Sequence, residues 1–370
     1  MVMTTRMLVR LERPTHHHAT ETPRRVTGRN LGRQSAGLRY SQPMQAILSV
    51  TIPFFALILA GYLAAQRGWL PLASIPGLNT FVLFFALPCM LLRFGINTPL
   101  AQLLDPVISS LYLTCAVVVV VLVLLLGRAL RAGPRDTAFA ALVGAFPNSG
   151  FIGVPLLVAL LGPGAAGPVI CTMLLDMMLT TSVCLALAQR GQGGGSGSAF
   201  LAALKAPLLN PLPWSIALGG TMSALGLQFL GPVEKVVWML ADAASPVALF
   251  TIGAVLFRSR VPQAQGTAAD MGQSRWPLIA GVVSIKLLVH PMLLLTALLT
   301  ARALGAGLTD LQVAAITLMA ALPSASNVSM LAERYGADNG LIARIIMGST
   351  TAAFITFAVW AWTFGVKPGL

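Results

Sequence analysis

Two short stretches gather most of the polar groups that could do chemistry in an otherwise apolar chain. In VGAFPNSGFIGVPL, residues 143–156, Pro147 is followed by Asn148, Ser149 and Gly150; in LPSASNVSMLAERYG, residues 322–336, Pro323 is followed by Ser324, Ser326 and Asn327. Proline has no N–H with which to continue a helix, so each stretch breaks one. The amides and hydroxyls beside the break either satisfy freed backbone or hold a ligand. Helices restarting near Gly150 and Asn327 would turn their positive N-terminal ends towards the break, which favours an anion. Gly150 and Gly153 allow another backbone or a ligand to come close.

A second group of candidates is ionisable. Lys286 and His290 lie four residues apart in VVSIKLLVHPML and share one helix face, and Asp176 lies midway along CTMLLDMMLTT. Charges inside membrane spans are costly, which makes these three functional candidates. Asp176 and Lys286 read as a proton-coupling pair, or Lys286 as the cation that neutralises a bound carboxylate. The alternative is structural: Lys286 hydrogen-bonds carbonyls of a broken helix and Asp176 pairs with a neighbour. His290, one turn nearer a helix end and just before Pro291, is expected at the membrane interface, and Arg93, Asp242 and Arg344 at the ends of spans. The sequence has no nucleotide-binding loop, no HExxH and no Ser/His/Asp set, so no enzyme is read from it. The four cysteines, Cys89, Cys115, Cys171 and Cys184, fall within spans at no metal-ligand spacing, and no metal or cofactor is implied beyond a coupling proton or sodium ion.

The elements that position these residues follow from composition. Of the 370 residues, 56% are hydrophobic and 9% charged, with mean hydropathy +0.81. Soluble domains carry roughly 25% charged residues, so this is an integral membrane protein. Apolar runs near the roughly 20 residues needed to span a bilayer recur at 44–66, 76–95, 107–127, 137–161, 165–188, 210–229, 236–257, 276–300, 309–332 and 341–364. Residues 1–43 hold eight arginines against Glu12 and Glu21, which is +6 of the net +13. Their Pro, Thr, Arg and His give no core, so they read as a disordered basic tail and the charge does not signal nucleic acid. Met44 reads as the natural start of the first span, with the tail an upstream extension.

Arginine and lysine sort the loops. With Met44 outside, the inner loops collect Arg67, Arg128, Arg131, Arg135, Arg190, Lys205, Arg258, Arg260, Arg275 and Arg334, and the outer loops only Lys235 and Arg302. Both ends of the core are then outside the cytoplasmic membrane. GQGGGSGS, residues 191–198, reads as a flexible inner linker, within 189–209, between halves 44–188 and 210–366. Five spans per half is odd, so a duplicated half would enter the membrane inverted. Punctuation matches this: Pro53 and Gly61 recur as Pro211 and Gly219, and Pro88 and Gly95 as Pro246 and Gly253, all at an offset of 158. Pro147 recurs as Pro323 at an offset of 176, placing the fourth span over the ninth. Matched broken spans point to a binding site near the bilayer midplane.

FPNSGFIGVPLL and LPSASNVSMLAERYG resemble the two signature segments of the auxin efflux carrier family of membrane transporters. The similarity extends over residues 44–366, including ILSVTIPFFALILAGYLAAQRGWL and NTFVLFFALPCMLLRFG. The resemblance implies an all-α polytopic fold of two inverted five-helix repeats, with the fourth and ninth helices broken and crossing, similar to bile-acid symporters and sodium/proton antiporters. It implies secondary transport of small organic anions, auxin in plant members and malonate, malate and similar carboxylates in bacterial ones. The chain lacks the long hydrophilic central loop of the long plant carriers, which fits the bacterial type. Carried over by position, Pro147, Asn148, Pro323 and Asn327 form the crossover. A symporter or antiporter of another substrate, or a channel, remains the alternative. Pairing of two copies through the first, second, sixth and seventh spans is implied by analogy of fold.

Overall fold

The computed structural model describes residues 35–103, 105–189, 211–258 and 275–365. The basic tail up to residue 34, the glycine-rich linker and the 261–274 loop lie outside the described residues. Gln42–Leu370 form one compact unit. Its helices are α1 (Ser35–Gln66), α2 (Leu72–Asn97), α3 (Pro106–Ala129), α4 (Pro134–Ala145), α5 (Ser149–Leu161), α6 (Pro163–Gln189), α7 (Pro211–Leu225), α8 (Gly231–Arg258), α9 (Trp276–Ala303), α10 (Asp310–Ala320), α11 (Val328–Arg334) and α12 (Asn339–Thr363). Helix α1 begins upstream of Met44, and its apolar part is Ser49–Gln66.

Among the described residues every regular element is helical, and seven helices are long and apolar enough to cross a membrane: α2, α3, α6, α8, α9, α12 and the apolar part of α1. This is a multi-pass membrane protein. Two of the ten expected spans are divided: the fourth into α4 and α5, and the ninth into α10 and α11, because proline at 147 and 323 interrupts the hydrogen-bond ladder. The sixth is described from Pro211 as α7 and ends where Gly226 turns to φ +63°.

Caps fix where helices begin. Asp105 accepts the N–H groups of Val107 and Ile108 at the start of α3, at 2.9 and 3.0 Å. Thr309 and Gln312 close a capping box on α10, and Asp338 accepts the Leu341 N–H on α12 at 2.9 Å. At one end of the molecule Arg275 pairs with Asp136 and Asp338, while Arg135 donates to Gly336 O at 3.1 Å; this ties the starts of α4, α9 and α12 together.

Four glycines set two close helix crossings. A Cβ at Gly61 on α1 would lie 1.8 Å from Phe250 O on α8, and one at Gly253 on α8 would lie 1.8 Å from Ile58 O on α1. A Cβ at Gly95 on α2 would lie 2.9 Å from Ile216 O on α7, and one at Gly219 on α7 would lie 2.5 Å from Leu92 O on α2. These are the glycines matched at one offset in the sequence, and each meets the helix carrying the partner pair's glycine. Without a hydrophobic driving force between helices in lipid, such backbone contact is how spans pack.

Among the described residues four π-helical turns interrupt the helices, at Val82–Ala86, Ser149–Gly153, Asp176–Thr180 and Ile285–Val289. Such turns are rare and gather at functional sites. Three of them contain residues singled out by the sequence: Ser149 and Gly150, Asp176, and Lys286.

Candidate functional site

The two breaks meet. After α4 the backbone leaves the helix at Phe146 (φ −89°, ψ 106°) and Asn148 (φ −76°, ψ 61°). The Asn148 N–H donates to Pro323 O at 2.8 Å and the Ala325 N–H to Phe146 O at 3.0 Å, so Pro147 and Ser324 oppose each other in an antiparallel bridge. Unpaired backbone is expensive where water is excluded, and here each break satisfies the other. The remaining groups are met locally. The Asn148 carbonyl accepts the N–H groups of Ile152 and Gly153 at 3.1 and 3.0 Å, and the Ser324 N–H donates to Ser349 Oγ on α12 at 3.1 Å.

This leaves the side chains uncommitted. Asn148 is buried and Asn327 half-buried, and both line one cavity of about 20 Å³ together with Pro147, Ser149, Gly150 and Ala325. That is room for about one water, so the pocket as it stands is too small for a carboxylate substrate. Among the described residues neither asparagine amide has a hydrogen-bond partner in the protein, and the buried Ser324 hydroxyl has none either. A Cβ at Gly150 would meet Leu87 and Met173 at ordinary contact distance, 3.9 Å. Gly153 instead backs onto the second break, 2.9 Å from Leu322 and 3.0 Å from Met319 on the same construction. Ser326 lies on a second cavity that shares Leu83, Phe151 and Asn327 with the first.

The ionisable candidates form a separate, fully buried cluster. Asp176 accepts the Tyr112 hydroxyl from α3 at 2.5 Å and the Thr180 hydroxyl at 3.0 Å. The Tyr112 ring lies 6.1 Å from that of His290. The Lys286 ammonium is 3.3 Å from His290 Nδ1 and donates to Ala320 O, the end of α10, at 3.1 Å. Two π turns bring these groups inward, and neighbours cover the carbonyls they loosen: the Thr181 hydroxyl donates to Asp176 O at 2.8 Å and the Trp360 indole to Leu287 O at 3.2 Å.

Several expectations change accordingly. His290 is buried against Lys286 and Tyr112, not at an interface, because the π turn rotates it inward despite Pro291. Asp176 and Lys286 share one buried cluster through Tyr112 and His290 but do not form a contact ion pair. Lys286 lines neither cavity; it is held on the terminal carbonyl of the half-helix α10. Arg93 pairs with Asp242 at 2.7 Å and covers the Trp238 ring. Tyr112, which joins the acidic and basic halves of the cluster, went unread because it opens the Val/Leu run of the third span. A lone aromatic hydroxyl in such a run is the signal that marks it. Among the described residues there is no group of three metal-ligating side chains.

The model of a family described as "Membrane transport protein" matches residues 46–361. The chain is 29% identical over 301 residues to a Rhizobium meliloti (strain 1021) protein named "Putative malonate transporter", covering 79% of this chain and 88% of the relative. It is 25% identical over 324 residues to an "Uncharacterized transporter" of Methanothermobacter thermautotrophicus, covering 86% of this chain and 97% of that one. A similar relative from Methanocaldococcus jannaschii, also named an uncharacterised transporter, is 25% identical over 331 residues.

Proposed function

The chain belongs to the membrane transport protein family, and from that premise we propose that it is a secondary active carrier of small organic anions, mono- or dicarboxylates, that binds its substrate at the crossover. It is a transporter and not an enzyme. The observation that carries the substrate reading is the pair of amides, Asn148 and Asn327, unpartnered among the described residues and brought from two broken helices into one cavity. Amide N–H groups and the N-terminal end of α5 at Ser149 suit a carboxylate. A binding cavity formed between two matched breaks suits alternating access, in which the site opens to one side at a time. The name of the Rhizobium meliloti relative makes malonate the first substrate to test.

In this reading residues 44–188 and 210–366 are inverted repeats. The reciprocal glycine crossings support it, because exchanging the halves carries the α1–α8 contact onto the α7–α2 contact. Asp176 and Lys286, linked through Tyr112 and His290, are the coupling pair, and the cluster's hold on Ala320 joins it to the second break three residues before Pro323. The chain sits in the cytoplasmic membrane with both ends of the core outside, as the loop arginines require.

The test is uptake of labelled malonate and malate into proteoliposomes under an imposed proton gradient and, separately, a sodium gradient. Saturable uptake accelerated by substrate on the opposite side is expected. Flux that rises without saturation would replace the carrier by a channel, and no uptake under either gradient would remove small carboxylates as substrates.

A further inference from the structure

We propose that Arg258, at the end of α8, is the residue that meets the substrate's carboxylate beside the crossover and so sets the preference for anions. The proposal rests on the carboxylate-carrier reading above. Its starting point is a missing charge: among the described residues no charged side chain lines the crossover cavity. A carboxylate taken out of water without a countercharge or full hydrogen bonding is strongly disfavoured. Lys286 does not supply that charge, because its ammonium is held by His290 and Ala320 O and lines neither cavity.

The second cavity supplies it. It begins at the residues it shares with the first, Leu83, Phe151 and Asn327, and passes Asn79, Ser326 and Ser329 to reach Arg258. Arg258 is half-buried, and among the described residues it has neither an ion-pair nor a hydrogen-bond partner. Arg128, Arg131, Arg334 and Arg344 are also without such partners among the described residues, but Arg258 is the one that lines a cavity sharing Asn327 with the crossover. A free guanidinium on a cavity that also reaches the Asn327 amide is suited to a carboxylate, which it grips with two parallel N–H bonds. Arg258 stands on α8 and not on a broken helix. Movement of the broken helices relative to α8 therefore changes its distance from Asn327, near for capture and far for release.

The experiment measures initial rates of labelled malonate uptake by the full-length protein in proteoliposomes, comparing wild type with Arg258→Gln, Arg258→Met and Arg258→Lys. Both uncharged variants should raise KM by about tenfold or more, the loss of one charge-assisted contact, with Vmax retained. Arg258→Lys should recover a large part of the affinity. The wild type should also prefer malonate over its monoamide, and the uncharged variants should lose that preference. An unchanged KM in both uncharged variants, or a fall in Vmax alone that lysine fails to rescue, would overturn the role of Arg258 and leave the carrier intact. Wild type without saturable uptake would overturn the carrier reading and this proposal with it.

Discussion

The crossover and the buried ionisable cluster are both polar islands in an apolar protein, yet they are built in opposite ways. At the crossover the backbone is satisfied and the side chains are free: among the described residues Asn148, Asn327 and the Ser324 hydroxyl have no protein partner and no charged group lines the cavity. In the cluster the ionisable side chains are engaged, with Asp176 on Tyr112 and Thr180 and Lys286 on His290 and Ala320 O, and only His290 Nε2 is left without a partner. A site that takes up and releases a ligand needs uncommitted groups, since every bond already made inside the protein must be broken to bind. A site that holds charge in a low-dielectric interior needs the reverse, because an unpaired buried charge is destabilising. This contrast is what supports the proposal that the first region binds substrate and the second couples charge.

Substitutions can break this contrast. The largest effect is expected from Asn148→Ala with Asn327→Ala, which should lower malonate uptake by about 100-fold or more, the loss of two hydrogen bonds to a charged group. The amount of inserted protein and its melting temperature should stay at wild-type values; a lower melting temperature would mean that the amides are structural after all. Next, Lys286→Met should destabilise the protein by about 3–5 kcal/mol by leaving Asp176 buried without its countercharge. Adding Asp176→Asn should restore much of that loss, as read by denaturant unfolding in detergent. Milder still, Tyr112→Phe removes the hydroxyl from Asp176 and should cost about 1.5–3 kcal/mol. It should also change the pH profile of uptake, as should Lys286→Ala; unchanged profiles in both variants would confine the cluster to structure. The smallest change is Gly150→Ala, whose Cβ meets nothing closer than 3.9 Å. It should raise stability by about 0.4–1 kcal/mol through the unfolded chain while weakening substrate affinity by intruding on the cavity.

Different parts of these regions were legible in the sequence for different physical reasons. Pro147 and Pro323 announce the breaks because a missing N–H interrupts any helix, and their shared context in the two halves announces that the breaks correspond. The glycines at 61, 95, 219 and 253 could be matched by spacing, though only coordinates show that Gly61 meets α8 and Gly95 meets α7. The bridge between Pro147 and Ser324 was not legible, because one pair of strand-like residues leaves no alternation to read. The π turns at Asp176–Thr180 and Ile285–Val289 carry no proline or glycine. Their extra rotation was therefore invisible, and it is what moved His290 from the expected interface into the core. Arg258 read as one more loop charge, since its relation to Asn327 depends on how α8 packs beside the broken helices.

The most direct test of the central claim is equilibrium binding of malonate to the purified protein by titration calorimetry, comparing wild type with the Asn148→Ala/Asn327→Ala variant. The account predicts saturable binding at one site in the wild type and none in the variant, with equal melting temperatures for the two unliganded proteins. Binding by the variant with wild-type affinity would contradict it and move the substrate away from the crossover.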